Sequence, residues 1–106
     1  MRIVWDESAV IRINETADYI EQQFGVDTSI RFLEEVQSEA DSLLAQPRRG
    51  QPEPILSGSK FEFRRLVIGK LNKMIYFVNG DTIEIVDFWA ARMDLKTLAK
   101  NLLKRL

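Results

Sequence analysis

Residues 61–92 read FEFRRLVIGKLNKMIYFVNGDTIEIVDFWAAR and contain three extended runs rich in β-branched and aromatic residues, with no proline. Two turn signals separate these runs. Asn79-Gly80 suits a tight hairpin because both residues tolerate positive φ, and the earlier turn covers residues 69–72. The stretch therefore predicts a three-stranded antiparallel meander.

The composition limits the class of protein. A chain of 106 residues is long enough for a single core, so we expect one domain over residues 1–106. The chain contains no cysteine and no histidine. This excludes disulfides, thiolate metal sites and every catalytic triad that needs an imidazole. No converging set of carboxylates predicts a metal site, and no motif predicts a cofactor.

The N-terminal sequence MRIVWDESAV lacks a long apolar run. It is therefore predicted to be neither a signal peptide nor a membrane span. We expect a cytoplasmic protein without membrane partners.

Helical spacing precedes the meander. Residues 1–5 read as a short strand, and residues 10–24 and 33–44 each place apolar residues at steps of three and four. Gly25 is placed to end the first helix with a positive φ, and Asp27 or Thr28 begins the second. A connection this short predicts an antiparallel helical hairpin whose apolar stripes are core.

A loop over residues 46–60 and a final helix complete the predicted fold. The helix after Asp94 is amphipathic and is expected to pack on the domain rather than on a membrane surface. The prediction is an α+β domain of order β-α-α-β-β-β-α. Its antiparallel sheet is covered on one face by the helical hairpin.

Charge divides the chain into two parts. Residues 6–46 contain ten acidic and two basic residues, whereas residues 47–106 contain six acidic and twelve basic ones. This division either marks a face for an anionic or acidic partner, or reflects attraction between the two parts of the same domain.

Four of the cations on the meander or at its end are the candidate binding residues: Arg64, Arg65, Lys73 and Arg92. In a regular strand Arg64 and Arg65 point to opposite faces. We expect one of them to be covered and paired with Glu62 or Asp87, and the other to be free for a phosphate or a partner's carboxylate. All four are expected along one edge of the sheet. The alternative is a structural set of salt bridges on a solvated face.

Arg48 and Arg49 form a second basic pair, in the loop after the second helix. They either contact a phosphate or provide a cationic end for the helix dipole.

The order of these elements resembles the RelE/ParE family, the toxins of type II toxin–antitoxin, or plasmid-stabilisation, systems. The resemblance covers essentially the whole chain and rests on five features: the arginine in the first meander strand, Lys73-Met74-Ile75-Tyr76, Asn79-Gly80-Asp81, Ile83-Glu84-Ile85 and Arg92-Met93-Asp94. It implies growth inhibition and a cognate antitoxin that covers the basic groove. The implied target- or antitoxin-binding residues are Arg48, Arg49, Arg64, Arg65, Lys73 and Arg92.

The family divides by target, so the resemblance implies alternative activities. ParE-like members inhibit DNA gyrase by binding it and need no acid–base residues. Other members cleave messenger RNA on the ribosome. For that reaction Glu53, in Gln51-Pro52-Glu53-Pro54, matches the base of one nuclease subgroup, and Arg65, Lys73 and Arg92 would stabilise charge.

The closing motif favours the gyrase alternative. That nuclease subgroup ends with a His-Tyr pair, whereas this chain has Trp89-Ala90-Ala91-Arg92, and Tyr76 lies inside a strand as predicted core. The role of the acid is therefore vacant. Glu53 also has a structural interpretation, as a loop carboxylate near Arg48 or Lys60. A third alternative is a degenerate toxin fold that only binds its partner.

Overall fold

The computed structural model describes residues 1–106, which form five strands, three α-helices and one 3-10 turn. The elements are β1 (Arg2–Trp5), α1 (Glu7–Phe24), α2 (Val26–Ser42), β2 (Gln51–Pro52), the 3-10 turn (Pro54–Leu56), β3 (Arg64–Ile68), β4 (Asn72–Asn79), β5 (Thr82–Trp89) and α3 (Leu95–Arg105). The predicted α+β class and order of elements are confirmed. The short strand β2 and the 3-10 turn lie within the segment that was predicted to be a loop.

All strands belong to one sheet in the order β1-β5-β4-β3-β2. β3, β4 and β5 pair antiparallel, which confirms the meander. The β4–β5 turn contains Gly80 with a φ of +59°, a region that glycine enters without steric cost. β1 pairs parallel with β5, so the sheet as a whole is mixed.

A single residue, Gly25, separates the two hairpin helices. Its φ of +97° reverses the chain at once, so α2 begins at Val26 and not at the predicted Asp27 or Thr28. The hydroxyl of Ser29 donates to the carbonyl of Ala17 at 2.8 Å and ties the helices together. No helix combines the length and apolar character needed to cross a membrane.

Two apolar clusters lie on opposite faces of the sheet. The larger one joins the sheet to the helical hairpin, through residues such as Ile13, Val36 and Met74. The smaller one joins it to α3 and the 3-10 turn, through residues such as Leu56 and Leu102. The predicted packing of the last helix on the domain is thus confirmed, and both faces of the sheet are covered.

A β-bulge in β5 changes which face the last side chains of this strand occupy. Val86 has no partner on β4, so the alternation of side chains shifts by one residue. As a result Val86 and Trp89 both face α3, while Phe88 faces the hairpin. α3 packs on this surface through Ala99 and Leu102, which are 5% and 0% exposed.

Candidate functional site

A buried carboxylate lies at the centre of the basic strand surface. Glu53 is only 3% exposed, and its Oε1 accepts a hydrogen bond from Lys73 Nζ at 2.9 Å. Its Oε2 lies 3.9 Å from Arg65 Nη1 and accepts the N–H of Ile55 at 3.2 Å. Glu53, Arg65 and Lys73 are termed the Glu53 cluster below. Glu53 is thus a structural carboxylate of this segment, but its partners are Arg65 and Lys73 and not the predicted Arg48 or Lys60.

The sheet brings the members of the Glu53 cluster together. Lys73 pairs with Val67, two residues after Arg65 on β3, so both cations lie on the face that α3 covers. The short strand β2 pairs with the start of β3, and the N–H of Glu53 donates to the carbonyl of Phe63 at 3.0 Å. These backbone bonds hold the carboxylate against the two cations.

Arg64 points to the opposite face and is the covered member of the arginine pair. Its side chain is 14% exposed and pairs with Glu62, as the alternation of the strand predicted. Its Nη1 donates to the carbonyls of Gly50 at 2.7 Å and of Arg48 at 3.2 Å. The expectation that Arg65 would then be free is wrong, because Arg65 joins the Glu53 cluster.

Arg92 lies apart from the other meander cations. Its guanidinium carbon is 4.5 Å from the centre of the Tyr19 ring on α1. No carboxylate lies within 4.0 Å of it. The prediction that all four cations line one edge of the sheet is therefore wrong. Arg65 and Lys73 lie on one face of the sheet, Arg64 lies on the other, and Arg92 lies beside Tyr19 of α1.

The loop arginines also have partners within the chain. Arg48 Nη1 lies 3.7 Å from Glu62, and Arg49 Nη2 lies 2.6 Å from Glu39. Of the six cations singled out from the sequence, Arg92 alone lacks an intramolecular ion pair. The geometry thus matches the salt-bridge alternative for most of this basic surface.

Tyr76 is fully buried, which confirms its predicted place in the core. Its hydroxyl donates to the carbonyl of Pro47 at 2.8 Å and accepts the N–H of Gly50 at 2.9 Å. Burial raises the pKa of Tyr76 above the ordinary value, although the hydrogen bond from Gly50 acts in the other direction. The phenol therefore stays protonated and fastens the loop to β4.

Sequence reasoning missed the role of Gly50. A Cβ atom built there would lie 2.7 Å from both the carbonyl oxygen of Arg65 and the hydroxyl of Tyr76. The glycine lets the loop approach β3 and β4 closely. A glycine directly after Arg48-Arg49 was the available signal.

The Glu53 cluster offers two cations but a carboxylate that is already engaged. Trp89 lies directly opposite Lys73 on β5 and is fully buried. An aromatic ring therefore occupies the strand position next to Lys73. A carboxylate engaged in this way suits the stabilisation of the sheet better than the transfer of protons.

Comparisons with known proteins bear on this fold and site. A family model described as the ParE toxin of the type II toxin–antitoxin system parDE matches residues 3–95. A solved structure, the chromosomal ParDE toxin–antitoxin system from P. aeruginosa, matches with a TM-score of 0.71 and 16% sequence identity. That alignment covers 87% of this chain and 97% of the other, and at this identity it shows the fold. No curated protein sequence matches the chain significantly.

Proposed function

Because this chain belongs to the ParE family of type II toxins, we propose that it inhibits growth by binding DNA gyrase and that a cognate antitoxin neutralises it. The matched residues, 3–95, include the Glu53 cluster and Arg92. A toxin that acts by binding needs complementary surface and charge but no acid–base set.

The burial and hydrogen bonding of Glu53 are the observations that favour binding over catalysis. A nuclease base must reach the 2′-hydroxyl of its substrate and accept the proton. The Glu53 side chain is 2% exposed, and its carboxylate accepts a hydrogen bond from Lys73 at 2.9 Å. This geometry favours a structural carboxylate over a working base.

The binding residues in this proposal differ in how freely they can change partners. Arg48 and Glu62 are 67% and 58% exposed in their side chains, and so solvated a pair contributes little to stability. A carboxylate of gyrase or of the antitoxin can therefore replace Glu62 at little cost. Arg64, Arg65 and Lys73 are less exposed and shape the contact surface, whereas Arg92 has no ion pair to exchange.

One observation supports a second candidate, a ribosome-dependent mRNA endonuclease. The Glu53 cluster joins the base that the resemblance implies with two of the three cations that would stabilise charge. In this mechanism Glu53 must leave Lys73 when RNA binds, and Arg92 must approach from its place beside Tyr19.

Expression of the chain alone in cells separates the candidates. Gyrase inhibition predicts an early fall in DNA synthesis, an SOS response and loss of supercoiling activity when the purified chain is added to purified gyrase. Endonuclease activity predicts an early fall in translation with cleaved transcripts. An absence of any growth effect would favour a degenerate fold that only binds its partner.

Two variants sharpen this experiment. Under the proposal, Glu53→Gln keeps its inhibition of gyrase when compared at equal amounts of folded protein, and Arg92→Gln weakens it. Transcript cleavage that disappears in Glu53→Gln would overturn the proposal in favour of the endonuclease.

A further inference from the structure

A pocket of about 380 Å³ lies away from the Glu53 cluster, where three segments meet. The β3–β4 turn contributes Lys70 and Leu71, the segment after β5 contributes Arg92, and α1 contributes Tyr19 and Ile20. None of the residues that line this space is acidic. It is termed the Lys70–Arg92 pocket below.

Both cations of the pocket lack an intramolecular ion pair. Lys70 and Arg92 are exposed, and neither lies within 4.0 Å of a carboxylate. The nearby Glu35 accepts the backbone N–H of Gly69 at 3.0 Å, so it anchors the turn to α2 and leaves Lys70 unpaired. Neither cation of the pocket is therefore engaged in an ion pair of the folded chain.

Arg92 is also held in position. The Tyr19 ring lies 4.5 Å from its guanidinium carbon, a cation–π distance that restricts the side chain while its N–H groups stay open to a ligand. A planar guanidinium fixed in this way suits a bidentate contact with a carboxylate or a phosphate.

An exposed apolar side chain, Leu71, lies beside these cations and indicates which class of ligand fits the pocket. Leu71 is 69% exposed, more than any other large hydrophobic residue of the chain. A nucleic-acid backbone needs cations but gains nothing from an exposed leucine, and the ring of Tyr19 is already occupied by Arg92. A peptide can present a carboxylate and an aliphatic side chain together.

We propose that the Lys70–Arg92 pocket docks an acidic peptide segment in which a carboxylate side chain lies next to an aliphatic one. The carboxylate pairs with Arg92 and Lys70, and the aliphatic group packs on Leu71. The proposal of binding in the pocket rests on the geometry and does not depend on the proposed function. Assignment of the segment to the antitoxin rests on the proposed function.

A peptide titration followed by NMR tests the pocket. The probe is a short blocked peptide of alternating glutamate and leucine, and its control is the same peptide with glutamine in place of glutamate. The acidic peptide should shift the amides of residues 69–72 and 90–92 in a saturable way. Arg92→Gln should weaken this binding about tenfold, while Lys100→Gln, an exposed lysine of α3 without an ion pair, should leave it unchanged.

Several results would overturn the proposal. Equal shifts with the glutamine peptide would show that the charge is not used, and shifts centred elsewhere would place the site on another surface. Tighter binding of a single-stranded oligonucleotide at the same amides would favour nucleic acid. The titration needs no toxic activity, so failure of the gyrase proposal leaves its result intact. If the acidic peptide binds but Arg92→Gln does not weaken a co-expressed antitoxin's binding, the assignment to the antitoxin fails.

Discussion

The ammonium of Lys73 lies 2.9 Å from Oε1 of Glu53, whose side chain is only 2% exposed. This contact joins the segment after β2 to the start of β4, on the sheet face that α3 covers. A charged group this deeply buried depends on its partners, because it has given up its hydration. The carboxylate therefore supports the fold around it before any question of catalysis arises.

Glu53→Gln should lower the free energy of unfolding by roughly 2 kcal/mol, because Lys73 and Arg65 lose the charge that compensates them. The glutamine oxygen can still accept the N–H of Ile55, so the 3-10 turn should remain. Urea denaturation measures the difference. Glu34→Gln, which removes an exposed carboxylate with no partner, is the matched control and should change stability by less than about 0.5 kcal/mol. Equal effects of the two variants would contradict a structural role for the Glu53 cluster.

Tyr76→Phe should cost roughly 2 kcal/mol at neutral pH. The change removes the hydroxyl that bridges Pro47 and Gly50, and it leaves the buried N–H of Gly50 and the part-buried carbonyl of Pro47 without that partner. Thermal or urea unfolding measures this loss. A loss near zero would mean that water replaces the hydroxyl in solution.

The stability conferred by Tyr76 should also depend on pH. The phenol has a pKa near 10.0 when unfolded and a higher pKa in the folded chain, because burial disfavours its ionised form. The folded state then retains a proton that the unfolded state loses. Stability is complete below pH 10.0 and falls as pH rises from there through the folded pKa. Between about pH 9 and about pH 11, the wild type should lose more stability than Tyr76→Phe. If the free energy of unfolding fell equally with pH in both proteins, Tyr76 would not be the group responsible.

Local signals account for most of the fold. Asn79-Gly80 marked the β4–β5 hairpin, and regular apolar spacing marked the two long helices, because each pattern reflects contacts between residues close in the chain. β2 had no such signal. It consists of two residues, one of them the proline Pro52, and exists only because the edge of β3 is available for pairing.

The site was less predictable because its contacts are distant in sequence. Strand alternation placed Arg64 and Arg65 on opposite faces, but it could not show that Glu53 would meet Arg65 on one of them. That meeting depends on how the loop docks against β3. Likewise, nothing near Arg92 in the sequence indicates that it reaches Tyr19 on the first helix.

Gly50→Ala should destabilise the chain by roughly 2–3 kcal/mol. The new methyl group would lie 2.7 Å from the carbonyl of Arg65 and from the hydroxyl of Tyr76, so the loop must move away from the sheet. Urea denaturation of Gly50→Ala and of Gln51→Ala, an exposed neighbour, gives the comparison. Adding Gly50→Ala to Tyr76→Phe should still be destabilising relative to Tyr76→Phe alone, since the carbonyl of Arg65 and the ring carbon Cε1 of residue 76, 2.8 Å away, still obstruct the methyl group. No further loss relative to Tyr76→Phe would show that the hydroxyl was the sole obstacle.

Asp87 should hold α1 and α3 on the sheet with unequal strength. Its fully buried carboxylate pairs directly with Arg12 of α1, whereas Arg105 of α3 stands 4.0 Å from Oδ2 and donates instead to the carbonyl of Val86 at 2.9 Å. A distance of 4.0 Å is too long for a hydrogen bond, so the Arg12 contact dominates.

Arg12→Gln should therefore cost about 3 kcal/mol, because it leaves a buried carboxylate without its main partner. Arg105→Gln should cost about 1 kcal/mol, since that side chain is 30% exposed and loses one backbone hydrogen bond. Hydrogen exchange adds a local measurement. Arg105→Gln should speed exchange within α3 and leave α1 protected, whereas Arg12→Gln should expose both through global unfolding. If Arg105→Gln were the costlier change, the attachment of α3, and not that of α1, would be what the buried aspartate secures.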